Sequence, residues 1–172
     1  MNNKLIIIRG PSASGKSSLA KKLFNTSKSN VVLIHQDYYR YIFNHTSEGS
    51  KANSEVIHKM IEHNLTILLQ TGYDVILEGV LTNKSYQDIL ERLIEMHIGE
   101  SYAFYFDLSF KETLRWHWTR NNNMLDYGEK DMLGWYSLCQ PLNHIQEYLI
   151  PEPLSEDQVY QRIVQLSGLE IF

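Results

Sequence analysis

A phosphate-binding motif lies near the start of the chain. It has the pattern G-x-x-x-x-G-K-[ST] and consists of Gly10, Pro11, Ser12, Ala13, Ser14, Gly15, Lys16 and Ser17. Its glycines let the backbone approach an anion, and the N–H groups that begin the following helix point toward that anion. A lysine at this position reaches the β- and γ-phosphates, and the Ser17 hydroxyl is a ligand for Mg²⁺. The motif therefore predicts ATP and Mg²⁺ binding by these residues and the adjacent Ser18.

The alternative interpretation is a turn that happens to be rich in glycine and serine. Such a turn accounts neither for Lys16 nor for the apolar run Leu5–Ile8 that precedes the motif. A strand before the motif and an amphipathic helix after it are the context that a phosphate-binding loop requires. The sequence favours that loop.

A candidate general base follows the second apolar run, Val31–His35. A carboxylate at the end of this strand, Asp37, can face the γ-phosphate and accept the proton of an attacking hydroxyl. Arg40 lies three residues further along, on the same helical face, and can hold a substrate oxygen. The alternatives are that Asp37 caps a short helix beginning at Tyr38 and that Arg40 forms a surface salt bridge.

Glu78 ends a third apolar run, Val75–Leu77. A buried carboxylate is costly unless it meets a cation. This position suits a second carboxylate that organises Mg²⁺ beside Ser17. The alternative is that Glu78 caps the next helix.

Two arginines lie at the edge of a polar interruption over residues 121–128. We predict a small lid over about 115–135, in which Arg120 stabilises the transferring phosphoryl group and Arg115 contacts the nucleotide. The alternative is a solvent-exposed helical face. Trp116 and Trp118 would either stack on a base or pack in the core or at a hinge.

Strand-like runs alternate with helical patterns, which predicts an α/β fold whose five-stranded parallel sheet has helices on both faces. The predicted strands are Lys4–Ile8, Val31–His35, Asp74–Gly79, Tyr102–Asp107 and Tyr148–Ile150. The main predicted helices are Lys16–Asn25, Asn53–Thr71, Ser85–His97, a helix from Ser109 to about Arg120, Glu129–Leu138, and one capped by Ser155.

Composition narrows the class of protein. A chain of 172 residues with 43% hydrophobic content predicts one domain, residues 1–172. The net charge of −4 disfavours a nucleic-acid substrate without excluding it. Cys139 is the single cysteine, as expected of a cytoplasmic protein, and no apolar run is long enough for a membrane span. Nothing in the sequence indicates an oligomeric state.

These motifs resemble a family of small bacterial P-loop kinases, the group of polynucleotide 5′-hydroxyl kinase, zeta-type toxins and chloramphenicol phosphotransferase. The resemblance covers nearly the whole chain and rests on these segments: residues 8–17, 35–40, 75–81, 106–115 and 127–132. It implies a three-layer P-loop NTPase fold with strand order 2-3-1-4-5. It also implies that Asp37 is the catalytic base, that Arg40 assists transfer and that Arg120 is the lid arginine.

The sequence therefore predicts a kinase that moves the γ-phosphate of ATP to a hydroxyl of a small molecule. Lys16, Asp37, Arg40 and Arg120 are its expected catalytic residues, and Ser17 and Glu78 its expected Mg²⁺ site. One alternative is a polynucleotide or nucleoside 5′-hydroxyl kinase. The other is an ATP-binding switch that hydrolyses slowly; a GTP-dependent switch lacks the expected Asn-Lys-x-Asp motif.

Overall fold

The computed structural model describes residues 3–43, 54–119, 128–152 and 154–172. The elements in these ranges are β1 (Lys4–Arg9), α1 (Lys16–Thr26), β2 (Val31–His35), α2 (Gln36–Tyr41), α3 (Ser54–Gln70), β3 (Asp74–Gly79), α4 (Asn83–Met96), β4 (Glu100–Asp107), α5 (Phe110–Thr119), α6 (Glu129–Ser137), β5 (Glu147–Pro151) and α7 (Glu156–Ser167).

The five strands form one parallel sheet in the order β2-β3-β1-β4-β5, as predicted. Parallel strands need crossover connections, and the alternating helices supply them. Because all five strands point the same way, the segments that follow them lie along one edge of the sheet. The predicted phosphate loop, Asp37 and Glu78 all belong to this edge.

The alternation of side chains along the central strand divides the core into two layers. Leu5 and Ile7 belong to one apolar cluster, which they share with buried residues of α3 and α4. Ile6 and Ile8 belong to a second cluster, shared with α1 and α7. The helices therefore cover both faces of the sheet, which gives the three-layer architecture.

Local signals account for several element boundaries. The side chain of Ser155 accepts a hydrogen bond from the backbone N–H of Gln158, and the side-chain oxygen of Gln158 accepts one from the backbone N–H of Ser155, so α7 begins with a capping box. On α3 the buried Ile57, Ile61 and Leu65 repeat every four residues and form its apolar face. None of the helices in the four described ranges is long and apolar enough to cross a membrane.

Candidate active site

The loop between β1 and α1 has the backbone shape of a phosphate cradle. Gly15, at the N-cap of α1, has a φ of 85°, and Ala13 has a φ of 60°, which is uncommon for a residue with a side chain. Gly10 has a φ of 143°, and a Cβ there would lie 2.8 Å from the Cβ of Phe106. Gly10 is therefore required both by its backbone angle and by the close approach of β4.

Lys16 is folded back over this loop. Its side chain is buried, and its ammonium donates to the carbonyl oxygen of Pro11 at 2.6 Å and to the hydroxyl of Ser14 at 2.9 Å. Both partners are polar atoms of the loop itself, so the cation lies within the cradle. This is where a triphosphate would meet it.

Ser17 and Glu78 come together although 61 residues separate them in the sequence. The hydroxyl of Ser17 lies 3.2 Å from both carboxylate oxygens of Glu78. The parallel register explains the meeting, because Ile8 of β1 pairs with Glu78 of β3 directly before the loop that carries Ser17. Hydroxyl and carboxylate oxygens are hard donors suited to Mg²⁺, so this pair fits the predicted metal site.

His35 supports the carboxylate of Glu78 from the other side. Its Nδ1 is 2.5 Å from Oε1 of Glu78, and the register of β2 with β3 pairs the two residues directly. The Glu78 side chain is 6% exposed, so these contacts fix its position. In the sequence His35 only ends the second apolar run; in the structure it is the hydrogen-bond partner that orients Glu78.

The candidate base lies on α2 and faces solvent. This helix begins at Gln36, so Asp37 occupies its first turn and not the N-cap, which is His35. The side chains of Asp37 and Arg40 are 61% and 53% exposed, and NH1 of Arg40 lies 3.9 Å from Oδ1 of Asp37. At this exposure the pair adds little to stability, and both side chains remain accessible to a bound molecule.

A cavity of about 310 Å³ opens beside Asp37 and Arg40. We call it the acceptor cavity. Its described lining comes from the phosphate loop, α2, α3, the start of α4 and α6, and consists of Ser12, Gln36, Asp37, Arg40, Tyr41, Ser54, His58, Val80, Thr82, Ser85, Tyr86 and Trp135.

Two titratable rings in the acceptor cavity are shifted toward their neutral forms. Burial, and then the charge of Arg40, lowers the pKa of His58. Burial raises the pKa of Tyr86 to about 12, against the smaller lowering effect of its hydrogen bond with Gln36. The two rings contact each other edge to face, with their centroids 4.6 Å apart. A bound molecule therefore meets an uncharged imidazole and an uncharged phenol.

A second cavity, of about 500 Å³, lies on the other side of the phosphate loop. We call it the base cavity, where 'base' means the base of a nucleotide and not the general base Asp37. Ser14 and Gly15 of the loop line it, together with Arg115 and Trp116 of α5. The Arg115 side chain is 67% exposed and its NH1 lies 3.3 Å from Oε1 of Glu112. Arg115 thus lines the same cavity as the phosphate loop, and its contact with the nucleotide stays a prediction.

The two tryptophans of α5 differ in position. Trp116 lines the base cavity, whereas Trp118 is not among its described lining residues. The two residues are 53% and 68% exposed, so neither packs in the core. Of the alternatives that the sequence left open, core packing is therefore wrong for both tryptophans, and base stacking by Trp116 stays a prediction. Arg120, the predicted lid arginine, lies outside the described residues, as does most of the lid's polar interruption.

Sequence analysis missed Arg9, which directly precedes the phosphate loop. Arg9 is fully buried, and its guanidinium donates to the carbonyls of Leu81 and Gln140, to the side chain of Asn83 and to the carboxylate of Glu147. The available signal was a charge at the end of an apolar strand, which has to be paired when buried. Arg9 ties the loop's strand to three neighbouring segments.

His58 and Tyr86 were also missed as site residues. Both lie on long amphipathic helices, and the sequence does not indicate which polar or aromatic side chain of such a helix contacts α2.

Among the described residues no group of three or more His, Cys, Asp or Glu side chains could hold a metal ion. A Mg²⁺ site at Ser17 and Glu78 would therefore complete its coordination with phosphate oxygens and water.

The strand order and the phosphate loop together show that this chain has the fold of the P-loop kinases. It belongs to the zeta toxin family, whose model matches residues 2–96. This is one of the groups that the sequence motifs resemble. A comparison with curated proteins gave no match.

Several solved structures share the fold. A candidate kinase from Chloroflexus aurantiacus is 17% identical with a TM-score of 0.72, and the alignment covers 96% of each chain. APS kinase from Mycobacterium tuberculosis, solved with AMPPNP and APS, is 17% identical with a TM-score of 0.64, covering 96% of this chain and 97% of that one. A chain of the Pnkp1/Rnl/Hen1 RNA repair complex is 23% identical with a TM-score of 0.62, covering 80% of this chain and 44% of that one. At these identities the likeness establishes the fold.

Proposed function

We propose that the chain is an ATP- and Mg²⁺-dependent phosphotransferase that moves the γ-phosphoryl group of ATP to a hydroxyl of a small molecule. The observation that carries this proposal is that one phosphate loop forms a wall of two cavities. Ser14 and Gly15 line the base cavity, and Ser12 lines the acceptor cavity. A donor nucleotide and an acceptor could thus meet across the loop.

The base cavity is suited to the nucleotide. The triphosphate would extend along the loop, where Lys16 and the N-terminal N–H groups of α1 supply positive charge. Arg115 and Trp116 are the candidate contacts for the base and ribose. The structural likeness to APS kinase, which was solved with AMPPNP, supports a nucleotide at this edge of the fold.

The acceptor cavity supplies the groups that a transfer step needs. Asp37 would take the proton of the acceptor hydroxyl while that oxygen forms a bond to the γ-phosphorus. The bond from the γ-phosphorus to the bridging oxygen breaks, and ADP leaves. Arg40 and Lys16 would stabilise the negative charge on the transferring group, and the sequence predicts the same role for Arg120.

Ser17 and Glu78 are the residues that would hold Mg²⁺, with His35 orienting Glu78. The ion, when bound, neutralises negative charge on the phosphates. We further propose that residues 1–172 act as one domain and that the protein works in the cytoplasm. The chain has a single cysteine, Cys139, which is buried, so it depends on no intramolecular disulfide and suits a reducing compartment.

An ATP-consumption screen with Mg²⁺ tests the proposal. The acceptors are sugars and sugar alcohols, aminoglycosides, chloramphenicol-like alcohols, nucleosides and 5′-hydroxyl oligonucleotides. We expect consumption to rise with one acceptor class and to fall by about a hundredfold or more in Lys16→Ala. Lys21→Ala is the matched control, because Lys21 is an exposed lysine of the same helix.

Each outcome assigns the chain to one of the functions considered. Acceptor-dependent turnover that Lys16→Ala abolishes supports the kinase and names its acceptor class. Preference for the oligonucleotide would identify a polynucleotide 5′-hydroxyl kinase instead. Tight AMPPNP binding without stimulation by any acceptor would favour the ATP-dependent switch.

A further inference from the structure

We propose that the acceptor is a small uncharged polyol, such as a monosaccharide or sugar alcohol, bound in the acceptor cavity with His58 as one of its contacts. This inference rests on the proposed kinase function and names the acceptor class for it. It is drawn from the chemistry of the described lining residues.

Hydroxyl groups dominate that lining. Six of the twelve described lining residues carry one, and these are Ser12, Tyr41, Ser54, Thr82, Ser85 and Tyr86. Within the described part of the chain, the side-chain hydroxyls of the three serines and of Thr82 make no hydrogen bond. A hydroxyl both donates and accepts, so a cluster of them complements a molecule that itself carries several hydroxyls.

The charges of the described lining residues balance. The described lining contains one carboxylate, Asp37, and one guanidinium, Arg40, and the two are within 3.9 Å of each other. An anionic acceptor would have to share Arg40 with Asp37 and would also face the γ-phosphate of the donor. Like charges at such distances oppose binding, whereas an uncharged acceptor avoids this cost.

His58 and Tyr86 add directional groups without adding charge. The phenol oxygen of Tyr86 accepts a hydrogen bond from Nε2 of Gln36 at 3.0 Å, which leaves its own proton available to a bound molecule. The neutral imidazole of His58 offers one donor and one acceptor nitrogen. The side-chain carbonyl of Gln36 accepts from the backbone N–H of Leu81 at 3.1 Å, so this corner of the cavity is held in place.

Acidification should change the selectivity of this cavity. Arg40 and Asp37 on α2 and Tyr86 on α4 line the same cavity as His58, and the charged residues near His58 along α3 are Glu55, Lys59 and Glu62. Because the pKa of His58 is lowered from 6.5, its ring is neutral near pH 7 and gains a proton only in more acidic solution. Protonation would place a second positive charge beside Arg40. Binding of an anionic acceptor would then become more favourable than it is at neutral pH.

The test compares two acceptors with the same six-carbon skeleton, D-sorbitol and D-gluconate, and adds D-glucose. Sorbitol is uncharged, and gluconate carries a carboxylate. At pH 7.5 we expect kcat/KM for sorbitol or glucose to exceed that for gluconate by about tenfold or more. The advantage should shrink as the solution is made more acidic than the ordinary histidine pKa of 6.5, because the pKa of His58 is lowered from that value and its ring then gains a proton.

The matched variants are His58→Asn and His63→Asn, since His63 is an exposed histidine of the same helix. We expect His58→Asn to raise KM for the preferred polyol about tenfold, the effect of one lost hydrogen bond. It should leave KM for ATP unchanged and abolish the pH dependence of the selectivity. His63→Asn should behave as the parent protein.

The outcomes separate the inference from the function on which it rests. Preference for gluconate at pH 7.5, or turnover only with aminoglycosides or chloramphenicol-like alcohols, overturns the inference and leaves the kinase proposal intact. Turnover only with nucleosides or oligonucleotides would identify the alternative 5′-hydroxyl kinase and overturn both. Equal effects of the two histidine variants on KM for the polyol would show that His58 does not contact the acceptor. If no acceptor stimulates ATP consumption although AMPPNP binds, both the kinase proposal and the inference are wrong.

Discussion

Asp37 and Arg40 are the residues on which the assignment of chemistry depends most. Both are more than half exposed, and their separation of 3.9 Å is long for an ion pair. A side chain that only capped α2 would be expected at the N-cap, but Asp37 lies two residues beyond it, in the first turn of α2, where it lines the acceptor cavity. This position would let Asp37 accept the proton of a hydroxyl bound there, as we propose.

Replacement of Asp37 by asparagine tests this role. Asn keeps the shape and removes the basic oxygen, so we expect kcat to fall by about 10² to 10⁴. AMPPNP affinity, measured by calorimetry, should stay within about twofold, because Asp37 is not among the described lining residues of the base cavity. Asp88→Asn, an exposed carboxylate on α4, is the control. Unchanged turnover in Asp37→Asn would argue for a nucleotide switch without a transfer step.

The prediction for Glu78 is different, because its proposed role is to hold Mg²⁺. In Glu78→Gln the side chain can still hydrogen-bond to Ser17, but it loses the negative charge that would attract Mg²⁺. We expect the Mg²⁺ concentration for half-maximal turnover to rise about 10- to 100-fold. A Mg²⁺ titration at saturating ATP measures this change. Glu95→Gln, at an exposed carboxylate of α4 that is not among the described lining residues of either cavity, should leave the titration unaltered, and an equal shift there would refute a specific role for Glu78.

At the scale of elements, the phosphate loop is fixed by the contact between β1 and β4. Gly10 has the positive φ, and the backbone of Phe106 occupies the space that a side chain at Gly10 would need. The loop's shape is thus determined by its neighbouring strand as well as by its own glycines.

Gly10→Ala should therefore disturb the loop. The added methyl group meets Phe106 at 2.8 Å, so β1 or β4 must shift. We expect weaker AMPPNP binding and a free energy of unfolding lower by about 1–3 kcal/mol. Gly134→Ala is the matched control, because Gly134 lies within α6 and its Cβ would contact nothing within 4 Å. That control should be neutral or should stabilise the protein by up to about 1 kcal/mol. Calorimetry and urea unfolding measure the two quantities.

At the scale of the whole molecule, Arg9 connects distant parts of the chain. Its guanidinium joins the end of β1 to the segment before α4, to Gln140 after α6 and to Glu147 of β5, and it lies 5.0 Å from the ring centre of Tyr105. The Glu147 side chain is 3% exposed. Removal of Arg9 would leave that carboxylate buried without its cation.

We expect Arg9→Met to lower the free energy of unfolding by about 3–5 kcal/mol in urea denaturation. The double variant Arg9→Met, Glu147→Gln should lose less than the single variant, because no buried charge is left unpaired. Lys4→Met, which breaks the partly exposed ion pair with Glu100, should cost at most about 1 kcal/mol. Equal losses for Arg9→Met and Lys4→Met would contradict the proposed organising role of Arg9.

The sequence by itself determined the features that local patterns encode. The alternation of apolar strands and amphipathic helices predicted the parallel sheet. The spacing of Gly10, Gly15, Lys16 and Ser17 predicted the loop, because the required backbone shape depends on residues a few positions apart. The strand order came from resemblance to a family, and the structure confirms it.

Only the tertiary structure decided which distant side chains meet. The partners of Arg9, the contact of His35 with Glu78 and the approach of His58 and Tyr86 to Arg40 join residues from separate elements. These meetings depend on strand register and helix packing, to which each local segment contributes only in part. For this reason the phosphate loop could be predicted from eight consecutive residues, whereas the acceptor cavity could be identified only in the folded chain.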